Sequence, residues 1–191
     1  MASISVHLAE GFEEIEAISI IDVLRRAEFK VIIVSVTGDL KVTGSHNITV
    51  IADEIFEDVN YSSIDMIVLP GGMPGAKNLN CHDGLKNQIV QFNKSGKPLG
   101  AICAAPLVLG QLGILKGKNV TCYPGFEKYL EGARITGLST EVAGNIVTGR
   151  GAGVAINFAL KIVELLHGND AAIELAEKMV VENGNPNSRS Q

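Results

Sequence analysis

Short runs of β-branched and aliphatic residues punctuate the chain at 4–8, 31–36, 49–51, 66–69, 99–102, 120–123 and 146–148, and each is predicted to be a strand. Between most of them apolar residues recur at three and four, the spacing of one helix face, over 14–27, 83–93, 104–112, 154–166 and 170–183. Strands alternating with helices predict an α/β fold, a mostly parallel central sheet covered on both faces. The runs Val31-Ile-Ile-Val34 and Met66-Ile-Val-Leu69 have no polar interruption, as strands at the centre of such a sheet require. Residues 37–49, with Gly38 and Gly44, read as a hairpin or loop excursion. The polar end, Gly184-Asn-Pro-Asn-Ser-Arg-Ser-Gln191, reads as a frayed tail beyond a single domain spanning 1–183.

Composition narrows the function classes. With 191 residues and 46% hydrophobic content, the chain supports one substantial core. The net charge of -5 comes without blocks of like charge, which argues against nucleic acid and membrane surfaces as partners. Three cysteines without a CxxC pair form neither a disulfide framework nor a zinc knuckle, and they fit a reducing compartment. The N-terminus lacks the basic start and long apolar stretch of a signal peptide, and no apolar run reaches the roughly 20 residues of a membrane helix. The expected location is the cytoplasm. His7, His46, His82 and His167 show no HExxH or paired-ligand spacing, and GxGxxG and P-loop patterns are absent. No metal or other cofactor is expected.

The chemistry concentrates at three places. In Pro98-Leu-Gly-Ala-Ile-Cys103-Ala-Ala-Pro106 an apolar strand ends on a cysteine flanked by small residues, the pattern of a strained strand-turn-helix elbow that presents a nucleophile. A helix beginning just beyond would aim its amides at the sulfur and favour thiolate. The same pattern also fits a buried apolar cysteine closing a core strand. Glu16 stands in Glu10-Gly-Phe-Glu-Glu-Ile-Glu16 at the start of the first helix, where three glutamates in four residues also suit a solvated helix start. Ile15 and the run 18–23 make that helix apolar nearly all round, so Glu16 falls among buried positions, and a buried carboxyl has a partner or a task. Pro70-Gly71-Gly72-Met-Pro-Gly75 follows a buried strand, where glycines admit a ligand close to backbone amides or simply make a turn. Cys103 and this glycine pair end neighbouring strands at the carboxyl edge of the sheet, where sites in such folds lie.

These motifs, Ala9-Glu-Gly-Phe-Glu-Glu-Ile-Glu16, Val68-Leu-Pro-Gly-Gly72, Ala101-Ile-Cys-Ala-Ala-Pro106 and Thr148-Gly-Arg-Gly-Ala-Gly153, in this order and spacing, resemble the DJ-1/PfpI (ThiJ) superfamily over nearly the whole chain. The resemblance is closest to its DJ-1 branch, on the acidic residue at Glu16. It implies a flavodoxin-like three-layer sandwich and a homodimer with the first helix at the interface. It also implies that Cys103 is the reactive cysteine and Glu16 its protonated partner. Gly71, Gly72 and Ala104 would contribute backbone amides around the pocket, with Arg150 and His46 beside it. Many relatives carry a histidine where this chain has Tyr123. A phenol is a poor base near neutral pH, which weighs against Cys-His peptidase chemistry. The implied activity is a cysteine-dependent, glutathione-independent glyoxalase or deglycase acting on small dicarbonyls such as methylglyoxal. The alternative is a redox sensor or chaperone that answers oxidative stress through oxidation of Cys103 to a sulfinic acid.

Overall fold

The computed structural model describes residues 1–181. In chain order its elements are β1 (Ser3–Leu8), α1 (Glu14–Arg26), β2 (Lys30–Ser35), β3 (Lys41–Thr43), β4 (Thr49–Ile51), β5 (Glu54–Ile55), β6 (Met66–Leu69), α2 (Gly75–Cys81), α3 (Asp83–Lys94), β7 (Leu99–Ile102), α4 (Pro106–Gln111), β8 (Asn119–Val120), β9 (Arg134–Ile135), β10 (Thr140–Ala143), β11 (Ile146–Gly149), α5 (Ala155–His167) and α6 (Asn169–Lys178). The main sheet runs β10-β11-β7-β6-β1-β2-β5 and is parallel except for the edge strand β10. Its middle strands bury both faces, which is why β6 and β7 read as unbroken apolar sequence. One contiguous core joins the sheet to α1 and α5, which pack on each other, and to α2, α3 and α4.

The α/β reading of the sequence agrees with this architecture, and most predicted elements lie within a residue or two of the observed ones. Four were not predicted. β5 and β9 are two residues each, β10 is a short hairpin edge of two polar and two apolar residues, and α2 follows a Gly/Pro-rich loop with few apolar residues. The run 37–49 is a hairpin, with β3 and β4 paired antiparallel. Three expectations change. The run 120–123 is a strand only to Val120 and pairs with β9 outside the main sheet. Beyond it, the Thr121 amide donates to Thr148 Oγ1 and the Tyr123 amide to the Cys103 carbonyl, so the backbone leaves the ladder to brace the end of β7. The helix expected from Ala104 begins at Pro106, because Ala104 and Ala105 are spent on the turn and the proline ring suits the first helical position. The helix expected over 170–183 ends at Lys178, where Met179 caps it and Val180 turns to φ +55°, and the expected tail at 184–191 lies outside the described residues.

Candidate active site

Cys103 follows β7 with φ +63°, a left-handed conformation that non-glycine residues adopt at a cost of order 1–3 kcal/mol. Its backbone is held from two sides: its amide donates to the Gly149 carbonyl at 2.9 Å, and its carbonyl accepts from the Tyr123 amide at 2.8 Å. The strained elbow read from the sequence is therefore present, and the sulfur is buried beneath it.

Glu16 reaches the same point from α1. It is fully buried, and its Oε2 accepts from the Gly71 amide at 2.7 Å. A side chain added at Gly71 would meet Cys103 Cβ at 2.7 Å and Glu16 Oε2 at 2.9 Å, which places the carboxyl against the cysteine and explains the glycine. Among the described residues, Glu16 Oε1 has no hydrogen-bond partner. Burial pushes Glu16 up to about 7, aided by the nearby Glu13 charge and opposed by Cys103 and the Gly71 amide. Burial also pushes the Cys103 thiol up to about 12, and the Glu16 charge adds to the rise, while the amides of Gly72 and Ala104 pull it down. This corrects the expectation of a helix-lowered thiol: α4 begins too late and is too short to dominate. Glu16 is the switch, since taking up a proton removes its charge from beside the sulfur and makes thiolate easier to form.

The other expected site residues separate. Gly72 has φ +90° and lies under Glu13, so only glycine fits there. The Gly71 amide serves Glu16, whereas those of Gly72 and Ala104 serve the sulfur. Tyr123 is bonded to Cys103 through backbone alone, and its half-exposed ring packs edge-on to Phe126. Arg150 donates to the Gly137 carbonyl at 2.8 Å. His46 is exposed and engages Glu14.

Glu13 and Glu14 carry roles that the sequence did not reveal. Glu13 caps α1 by accepting from the Glu16 amide at 2.7 Å. Buried Glu14 accepts from the backbone amides of His46 and Ile48 with Oε1, and from Ser45 Oγ and His46 Nδ1 with Oε2. Burial opposes that charge, but the bonds from His46 and Ile48 hold the carboxyl down at about 2. Gly44 leaves the room, since a Cβ there would overlap the Glu14 carboxyl. Charge alone cannot distinguish a helix-start glutamate in solvent from one clamped by a hairpin thirty positions away.

Residues 2–165 match the DJ-1/PfpI family. The chain is 38% identical over 179 residues to Protein DJ-1 homolog B of Arabidopsis thaliana, covering 93% of this chain but only 41% of that longer relative. It is 34% identical over 175 residues to the Caenorhabditis elegans protein named glutathione-independent glyoxalase DJR-1.2, covering 89% of this chain and 91% of the relative. Among solved structures, oxidized Toxoplasma gondii DJ-1 superposes with a TM-score of 0.89 at 36% identity, covering 94% of this chain and 98% of that one.

Proposed function

The chain belongs to the DJ-1/PfpI family, and we propose that it is a cysteine-dependent, cofactor-independent glyoxalase acting on small dicarbonyls such as methylglyoxal. The observation that carries this reading is the buried pair at the elbow: a strained cysteine against a carboxyl whose second oxygen is unpartnered. The relative named as a glutathione-independent glyoxalase supports the same class. The Cys103 thiolate adds to the aldehyde carbon and the carbonyl oxygen takes a proton, giving a hemithioacetal. Glu16 then moves a proton from that carbon to the neighbouring carbonyl side, so the former aldehyde carbon is oxidised to a thioester as the ketone is reduced to an alcohol. Water releases the hydroxy acid and restores the thiol. The amides of Gly72 and Ala104, which serve the sulfur, would steady the developing oxyanion.

Methylglyoxal consumption with chiral lactate detection, in the absence of glutathione, tests this. Native protein is expected to produce lactate, and Cys103→Ser and Glu16→Gln each to abolish it. Full activity in either variant would sink the mechanism.

A second reading is favoured by one observation. The similar Toxoplasma protein is named in an oxidized form, and here Glu16 and two amides surround the sulfur as donors for a sulfinate. On that reading mild peroxide oxidises Cys103 before exposed Cys81.

A further inference from the structure

We propose that His46 is a positioning residue for the Cys103–Glu16 pair: it clamps the β3–β4 hairpin onto the start of α1, and in its protonated form it offsets the carboxylate charge gathered at the start of that helix. This rests on the reading of Cys103 and Glu16 as the reactive pair.

The groups involved gather at the start of α1. His46 Nδ1 donates to Glu14 Oε2 at 2.9 Å, and the His46 amide donates to Oε1 at 2.6 Å. Ligand-type atoms of Glu13, Glu14 and His46 all lie within 4.8 Å of one another. Glu13 in turn holds the Glu16 amide and raises the proton affinity of the Glu16 carboxyl. One exposed imidazole thus faces the Glu14 carboxylate on α1 and the Glu13 carboxylate at its cap, and Glu13 accepts from the backbone amide of the residue whose carboxyl meets Cys103.

The charged groups around this relay are few. From α1 and its cap come Glu13 and Glu14, and from the preceding loop Glu10, whose Oε1 accepts from the Thr43 amide. The hairpin supplies Ser45, whose Oγ lies 3.2 Å from His46 Nδ1. On the far side, Glu16 faces Cys103 and the Gly71 amide. The bonds with Glu14 hold the His46 proton more firmly than in a free imidazole. Glu14 already receives four donors, so the cluster is built as a charge clamp. A cation at position 46 favours the ionised form of Glu16, whose charge beside the sulfur opposes thiolate and so pushes the ionisation of Cys103 toward higher pH.

The test is the pH profile of Cys103 alkylation by iodoacetamide, read by mass spectrometry, in native protein, His46→Gln and His46→Lys. Glutamine keeps a donor and loses the charge, while lysine keeps the charge and loses the imidazole geometry. In His46→Gln the acid limb is expected to move down by about half a pH unit, roughly threefold faster alkylation at fixed pH, as suits an offset charge at partly screened range. His46→Lys is expected to stay near the native profile, and 1 M salt to narrow the gap between the variants. Circular dichroism of both variants confirms that the fold is intact. Superimposable profiles would overturn the proposal, as would equal shifts in both variants, which would mark a structural role only. Because the readout is the thiol itself, an absence of dicarbonyl turnover leaves this test standing. A Cys103 that alkylates at no pH would sink the reactive-pair reading along with it.

Discussion

At the scale of single residues, burial moves the titration of two ionisable groups in opposite directions along the pH scale. Glu16 is raised from 4.5 to about 7 by burial. Its native proton affinity exceeds that of the unfolded chain, so its contribution is fully present below about pH 4.5 and is lost as pH rises through about 7. Glu16→Gln, which can still accept from the Gly71 amide, is expected to be more stable than the native protein at pH 8 by up to about 3 kcal/mol. Thermal melts from pH 4 to 8 check this, and the gap should close at the acid end. His7 shows the opposite sign: burial, with His82 nearby, lowers it to about 3, and its Nε2 pairs with Tyr61 hydroxyl at 2.8 Å. Its place inside the first strand was legible in the sequence. Its partner was not, since nothing in sequence links positions 7 and 61.

At the scale of elements, legibility followed apolar periodicity. β1, β2, β6, β7 and β11 were read because buried strands must be apolar, and α1, α3 and α5 because one helical face must be. The elbow was read from small residues around Cys103, yet the start of α4 was misplaced because alanines suit a turn as well as a helix. What periodicity cannot supply is the spacing between loops, and here Gly71 is decisive. Its backbone carries no positive φ, so alanine would be permitted by conformation and forbidden only by contact. Gly71→Ala is expected to leave the fold assembled, lower stability by about 1–3 kcal/mol through overpacking, and cut lactate formation at least tenfold. Melting curves and turnover on the same preparation check both halves. Unchanged turnover would show that the Glu16–Cys103 spacing tolerates adjustment.

At the scale of the whole molecule, α1 has two commitments. One side carries Glu16 into the core, and the other leaves Ile15 at 60% and Ile18 at 46% exposure, beside a groove completed by Ala152, Gly153 and Ile156. An all-round apolar helix was legible in the sequence, and this face is where we place a homodimer interface. Ile18→Glu is expected to yield a monomer by sedimentation at micromolar concentration, while a protein already monomeric before mutation would refute that placement.

The reactive pair is also a gauge of completeness during assembly. Glu16 arrives on the first helix, the glycine pair on the loop after β6, Cys103 after β7, and the carbonyl that pins the Cys103 amide only at Gly149. Such contacts are remote along the chain and form slowly compared with local helix turns. The altered proton affinities of Glu16 and Cys103 therefore cannot exist in any partly folded species that lacks one of these strands. The chemical signature of Cys103 is thus a built-in report that, in a newly made chain, β6, β7 and β11 have come together around the first helix.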